Sequence, residues 1–145
     1  MIMTIIALLI FGALFAAALL HVAWAFGVLW PARDEQALIN TVIGAPGMSK
    51  MPGTGLTLAV AAGIAGAGVF ALWGAQLVTL PLPGWVQSTS LLVLAIIFGL
   101  RGFSTYLTIG PLSARTQPFA RLDRRFYAPL CLSICAGFIV LYRGL

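Results

Sequence analysis

The sequence predicts an all-α fold: a polytopic membrane protein with four transmembrane helices in a single domain spanning residues 1–145. Apolar residues make up 61% of the chain and charged residues only 8%, whereas soluble domains contain about 25% charged residues. The few charges are clustered, and they leave uncharged stretches as long as membrane spans. This composition excludes a water-soluble fold. It also argues against nucleic-acid binding, because the basic residues flank apolar segments.

The first helix is predicted at 2–30. Residues 1–32 contain no charged side chain, and about 20 apolar residues suffice to cross a bilayer. Trp30 and Pro31 indicate the end of the span, because tryptophan favours the membrane interface and proline follows helices. A signal peptide is the alternative. The segment lacks a basic start, and its apolar run exceeds the roughly 7–15 residues typical of signal peptides, so we interpret it as a true span.

The second uncharged stretch, residues 51–100, is too long for one span and long enough for two. Pro81, Pro83 and Gly84 interrupt it, and a helix cannot continue through them. Together with the uncharged stretch near the C-terminus, this pattern predicts three further transmembrane helices, at 54–78, 86–109 and 126–141.

One acidic pair lies outside the predicted spans. Asp34 and Glu35 are adjacent, so on a helix their side chains point apart and do not form a pair of catalytic carboxylates. We interpret them as the first turn of a short interfacial helix that ends at Gly44. The sequence shows no catalytic motif, so we predict no catalytic residues and a protein that is not an enzyme.

The basic residues predict the orientation. The loops after the first and third helices contain six basic residues, whereas the opposite side has only Arg143. Because lysine and arginine favour cytoplasmic loops, we expect these loops in the cytoplasm, both termini outside, and a bacterial inner (plasma) membrane as the location. We expect the later loop to lie on anionic lipid headgroups or to dock on an acidic partner; its arginines are Arg115, Arg121, Arg124 and Arg125.

Three polar side chains are predicted at similar depth. His21, Arg101 and Cys135 each lie about 12–13 Å from the same membrane boundary if the predicted helix ends hold, so they could meet in one layer. Arg101 is the strongest signal, because a charge inside the apolar slab costs about 2.5–3.5 kcal/mol. Either the third helix ends early, near Ser104, and Arg101 lies at the interface, or Arg101 is buried and paired. Asp123 is a plausible partner.

His21 and Trp24 share a helix face. The pair could ligate a haem or chlorin or hydrogen-bond a quinone, although a histidine bonded to a neighbouring helix is the simpler interpretation, and the cofactor stays unknown. Cys131 and Cys135 lie one turn apart and could in principle form a soft-metal site with His21. We interpret the cysteines as small packing residues and predict no metal.

Small residues recur at four-residue spacing in the second helix. Such spacing lets two helices approach closely in lipid. We interpret the pattern first as packing within the bundle, with an oligomer face as the alternative. The residues are Ala59, Gly63 and Ala67, with Ala62 and Gly66 beside them.

The chain resembles the bacterial Domain of Unknown Function 3995 family. The resemblance rests on the first-helix segment from His21 to Gly27 with Trp30, on the third-helix segment beginning at Arg101, and on the segment from Phe119 to Cys131. It implies a small four-helix inner-membrane protein without an assigned activity. It marks as binding residues His21, Trp24, Arg101, Asp123 and Tyr127.

The chain departs from that family's pattern at one place. The family often has a Gly-Asp-Phe-Arg-like run after the third-helix arginine, where this chain has Ser-Thr-Tyr-Leu at 104–107. One acid and one base are therefore missing, and any charge network there is reduced to Arg101.

Three functions follow as hypotheses. The first is a non-enzymatic small subunit or accessory (assembly) factor of a larger inner-membrane complex, with other membrane proteins as partners. The second is a haem-, quinone- or lipid-binding protein that uses the His21/Arg101 layer. The third is an oligomeric transporter of small solutes, which is weakened by the scarcity of charge inside the spans and the absence of a visible inverted repeat.

The orientation is testable with reporter fusions. A reporter inserted near Thr116 should behave as cytoplasmic and one fused after Leu145 as external, because basic residues favour the cytoplasmic side. A cytoplasmic C-terminal reporter would contradict the predicted orientation.

Overall fold

The computed structural model describes residues 1–107 and 115–145, and within these residues the chain is helical without strands. Helix Phe119–Leu122 is joined to the last helix by a π-helical segment, Asp123–Tyr127, so that Phe119–Arg143 is one helical path. Four helical stretches are long and apolar enough to cross a membrane, which confirms the predicted fold class. The helices are α1 (Ile2–Ala25), α2 (Glu35–Val42), α3 (Thr54–Gly74), α4 (Gly84–Ser104), α5 (Phe119–Leu122) and α6 (Ala128–Arg143).

The long helices pack as two pairs, α1 against α3 and α4 against α6. Both pairs contribute to one core, in which alanines on α1, α3 and α4 face large side chains on α6 such as Phe138, which is fully buried. Gln87 near the start of α4 is also buried, and its amide donates to the Trp73 carbonyl at the end of α3 over 2.6 Å. This bond ties the two pairs together at the α3–α4 hairpin.

The predicted ends of α1 and α3 are too late. α1 ends at Ala25, five residues before the predicted residue 30, because Gly27 adopts φ +83° and the Val28 amide donates to a carbonyl of the last turn at 3.0 Å. This is the Schellman arrangement that closes helices. α3 ends in the same way at Gly74 instead of residue 78, with Gln76 in the left-handed position (φ +58°).

The boundaries of the other two spans also differ. α4 occupies Gly84–Ser104 instead of 86–109, because Thr105 leaves the helix and its hydroxyl bonds Asp123. The predicted end at residue 109 lies outside the described residues. The last span begins at Phe119 instead of residue 126 and runs to Arg143 instead of 141, because the charged residues before 126 are themselves helical.

The short helix α2 begins where the acidic pair predicted it. Asp34 caps its first turn by accepting from the Ala37 amide at 2.8 Å, which is the usual role of aspartate at this position. The Glu35 carboxylate accepts from the Met51 amide at 2.8 Å and holds the chain leading into α3. Gly44 follows the helix with φ +67°.

The segments around α2 and around α5 meet at one end of the bundle. The Thr116 amide donates to the Gly44 carbonyl at 3.1 Å, and the Tyr127 hydroxyl donates to the Thr41 carbonyl at 3.4 Å. The buried ring of Phe119 lies where a side chain on Gly44 would be. We call this the basic end; its basic residues are Arg33, Lys50, Arg101, Arg115, Arg121, Arg124 and Arg125. Both termini lie at the opposite end, where the Met3 side chain contacts Gly144.

Candidate functional site

Asp123 is the centre of the basic end. It is the first residue of the π-helical segment and is 0% exposed. A buried carboxylate is stable only when hydrogen-bond donors and opposite charges replace its water. Arg101 Nη2 donates to Oδ1 at 2.7 Å, whereas Arg115 Nη1 and the Thr105 hydroxyl donate to Oδ2 at 2.9 and 2.7 Å. Both carboxylate oxygens are therefore occupied.

The two arginines are less buried than the aspartate. The Arg101 side chain is 36% exposed and that of Arg115 is 23% exposed. Arg101 Nη1 also donates to the Thr105 hydroxyl at 3.1 Å, and the Arg115 guanidinium lies 5.1 Å from the centre of the Phe119 ring. Two positive charges face one negative charge, so the cluster has a net positive charge, and both oxygens of Asp123 are engaged by the donors around it.

A proline leaves one carbonyl of the π-helical segment without its backbone donor. In a π-helix each carbonyl bonds to the amide five residues later, and the residue five positions after Arg124 is Pro129, which has no N–H. The Tyr106 hydroxyl instead donates to the Arg124 carbonyl at 3.1 Å. This contact and the Thr105–Asp123 bond join the end of α4 to the π-helical segment on both sides.

Over the residues that it describes, the structure shows no hydrogen bond that joins the predicted layer of His21, Arg101 and Cys135, and Arg101 lies nearer the end of its helix than predicted. α4 ends at Ser104, so Arg101 lies in its last turn and not about 12 Å inside the span as predicted. Among the described residues no hydrogen bond or ring contact joins His21 to Arg101. The structure does place Arg101 on Asp123, whereas the hydroxyls of Tyr106 and Tyr127 donate to backbone carbonyls.

His21 lies in a separate groove between α1, α2 and the start of α3. Its Nδ1 donates to the Ala17 carbonyl at 2.8 Å, because a carbonyl can only accept, and its ring lies 5.0 Å from that of Trp24. The Trp24 indole donates to the Trp30 carbonyl at 2.8 Å. The groove has a volume of about 190 Å³, below the roughly 300–1,000 Å³ of ligand pockets, so these residues do not fit a haem or chlorin.

The cysteines lie in the α4–α6 contact. Cys131 and Cys135 are half-buried and free, and the Cys135 sulfur lies against Gly99 of α4. Within residues 1–107 and 115–145, histidine, cysteine and acidic side chains do not gather into a group that could hold a metal ion. This includes His21 and both cysteines.

A cavity of about 810 Å³ opens beside the Asp123 cluster. Four arginines line it, and Arg121, Arg124 and Arg125 among them are exposed. The remaining lining residues are Thr105, Leu107, Arg115, Gln117, Pro118, Ala120 and Asp123. We call this the basic cavity.

Sequence reasoning missed two members of the cluster. Arg115 was grouped with the lipid-facing loop, yet its guanidinium turns inward to Asp123. For Thr105 the sequence indicated only that it lies near the end of a predicted span. The one sequence clue to these two residues was that several arginines lie near a single aspartate, which could bind more than one of them.

The contribution of Arg101 is testable by substitution. Arg101→Leu should lower the free energy of unfolding in detergent by about 2 kcal/mol, because it removes a charged donor from a buried carboxylate. Arg101→Lys should cost about 1 kcal/mol, because lysine cannot bond Asp123 and Thr105 with one planar group. Arg143→Leu, an exposed arginine at the opposite end, is the control and should change stability by less than about 0.5 kcal/mol. If wild type and the three variants were equally stable, Arg101 would lie at the membrane boundary without stabilising the fold.

Comparison with known proteins places the chain in a family. Residues 14–138 match the family model described as "Protein of unknown function (DUF3995)". No curated protein and no solved structure matches the chain. The match covers α1 from its middle, the whole Asp123 cluster and most of α6, and it confirms the resemblance identified from the sequence. The chain belongs to the DUF3995 family of uncharacterised proteins.

Proposed function

We propose that this protein is a non-enzymatic protein of the bacterial inner membrane that serves as a small subunit or accessory factor of a larger membrane assembly. Its basic end then faces the cytoplasm, and both termini face the other side. The observation that supports an assembly role most directly is the outer face of α3.

The outer face of α3 has small residues beside the exposed side chains of Leu56 and Val60. Ala59, Ala62 and Gly63 are exposed, and a side chain added at Gly63 or Gly66 would meet nothing within 4 Å. Of the small-residue motif Ala67 is buried and Gly66 is half-buried, so our first interpretation, packing within this bundle, does not account for Ala59, Ala62 and Gly63. The outer face of α4 is instead bulky, with exposed Leu92, Val93, Ile96, Ile97 and Leu100, whereas α1 has exposed Ile5, Leu8, Leu9 and Phe15 together with the exposed small residues Gly12 and Ala16.

Bulky apolar side chains pack well against lipid tails, whereas glycines on the outer face do not stabilise the isolated chain. Glycine within a helix is less favourable than alanine by about 0.5–1 kcal/mol. Its benefit in a membrane helix is close approach by another helix. The outer face of α3 therefore fits a second membrane helix better than lipid.

The other hypotheses have less support. The binding hypothesis that needs a His21/Arg101 layer loses its geometric basis, because the two residues belong to separate clusters. No observation specifically supports the transporter hypothesis. In the described part of the chain, the buried charge is that of Asp123, which is paired within its cluster at one end of the bundle.

The assembly role is testable by blocking the α3 face. Gly63→Leu combined with Gly66→Leu should release the protein from its native complex, because the added side chains prevent close helix approach. Gly12→Leu is the matched control, since Gly12 is an exposed glycine of α1 with nothing within 4 Å of an added side chain. The measurement is complex size on native gels after mild solubilisation of the source membrane.

Wild type and Gly12→Leu should migrate as the same large species and the α3 double variant as a smaller one. The isolated double variant should be at least as stable as wild type, because leucine favours helix over glycine by about 0.5–1 kcal/mol per site. A double variant that keeps the full complex size, or a wild type that migrates alone, would contradict the proposed role.

A further inference from the structure

We propose that the basic cavity binds the phosphate group of an anionic phospholipid headgroup. This inference goes beyond the assembly role. It concerns a charged cavity at the basic end, whereas the assembly role concerns the apolar outer face of α3. It rests on the charge of the cavity, on its hydrogen-bond donors, and on its size and position.

The charge of the cavity strongly favours an anion. Four arginines line it against one carboxylate, and that carboxylate is also bonded from behind by Arg101. Five arginines around one aspartate leave a formal excess of four positive charges. Asp123 does not repel an incoming anion effectively, because both of its oxygens already accept from donors and two of these donors are cationic.

Within the described residues, donors suited to a phosphate line the cavity and form no ion pair outside the Asp123 cluster. A guanidinium has five N–H donors, and in the described residues Arg115 uses one nitrogen on Asp123. Within the same residues, Arg121 and Arg124 form no ion pair, and the Gln117 amide also lines the cavity. Arginine is suited to phosphate because its planar fork matches two phosphate oxygens.

The size and lining favour a lipid headgroup over free phosphate. At about 810 Å³ the cavity lies in the range of pockets that enclose drug-sized ligands and is much larger than a bare phosphate ion needs. Leu107, Pro118 and Ala120 provide apolar surface beside the arginines. The cavity also lies next to the end of α4, where a span reaches the headgroup region.

Asp123 has a positioning role in this site. Without a carboxylate between them, the Arg101 and Arg115 guanidinium groups would repel each other and turn apart. With it, Arg115 Nη1 is held at 2.9 Å from Asp123 in a side chain that lines the cavity. The buried ion cluster thus orients the arginine that would meet the phosphate.

The test uses the purified full-length chain in a neutral detergent. The probes are dioctanoyl phosphatidylglycerol, dioctanoyl phosphatidylcholine and inorganic phosphate, titrated by calorimetry at physiological salt. Phosphatidylglycerol should bind saturably and at least about tenfold more tightly than the other two. Equal affinity for phosphatidylcholine would overturn the anionic selectivity, and equal affinity for inorganic phosphate would overturn the assignment to a lipid.

Two paired variants separate the cavity from general surface charge. Arg121→Gln with Arg124→Gln should weaken phosphatidylglycerol binding by about 30-fold, from about 1 kcal/mol per basic residue near a headgroup. Arg33→Gln with Lys50→Gln removes the same charge from exposed sites at the same end outside the cavity and should change binding by less than about threefold. All four residues are exposed, so both variants should fold. Equal losses in the two variants, or no loss in the first, would overturn the proposal.

Discussion

A carboxylate that is sealed from water needs donors on every side, and at Asp123 those donors come from different parts of the chain. Arg101 and Thr105 come from the end of α4, and Arg115 comes from the segment before α5. Burying Asp123 therefore fixes the end of α4 against the start of the last span. If the donors were missing, the charge would be left unpaired in a dry site, which typically costs several kcal/mol. The remainder of the basic end is arranged around this requirement.

The contacts that surround the cluster spread its effect to the neighbouring helix. Tyr127, four residues after Asp123, bonds the carbonyl of Thr41 at the end of α2, and Phe119 packs on Gly44. α2 is thus held to the same end as the arginines. In the described part of the chain, the opposite end contains the α3–α4 hairpin, the termini and Arg143. Most of the charged side chains and their contacts thus lie at the basic end of the apolar bundle. A charged lipid headgroup or protein partner would bind at this end.

Much of the fold was predictable from the sequence, because uncharged length and proline breaks report directly on spans. The errors at helix ends came from capping: Gly27 and Gln76 stop α1 and α3 earlier than the apolar pattern suggests. The Asp123–Arg101 pairing was accessible because few acids were available. The contacts of Arg115 and Thr105 were not, since they are tertiary contacts that no local sequence pattern reports. The His21/Arg101 layer failed because matching depths do not show which way two side chains face.

The central claim is that Arg101 and Asp123 stabilise the bundle through each other. A double-mutant cycle with Arg101→Leu, Asp123→Asn and the combined variant measures this directly, from free energies of unfolding in detergent. If the cluster works as a unit, the loss of the double variant should be smaller than the sum of the two single losses by more than about 0.5 and up to about 3 kcal/mol, the range found for residues in one ion-pair network. Losses that add within about 0.5 kcal/mol would show that the two residues act independently and would contradict the account.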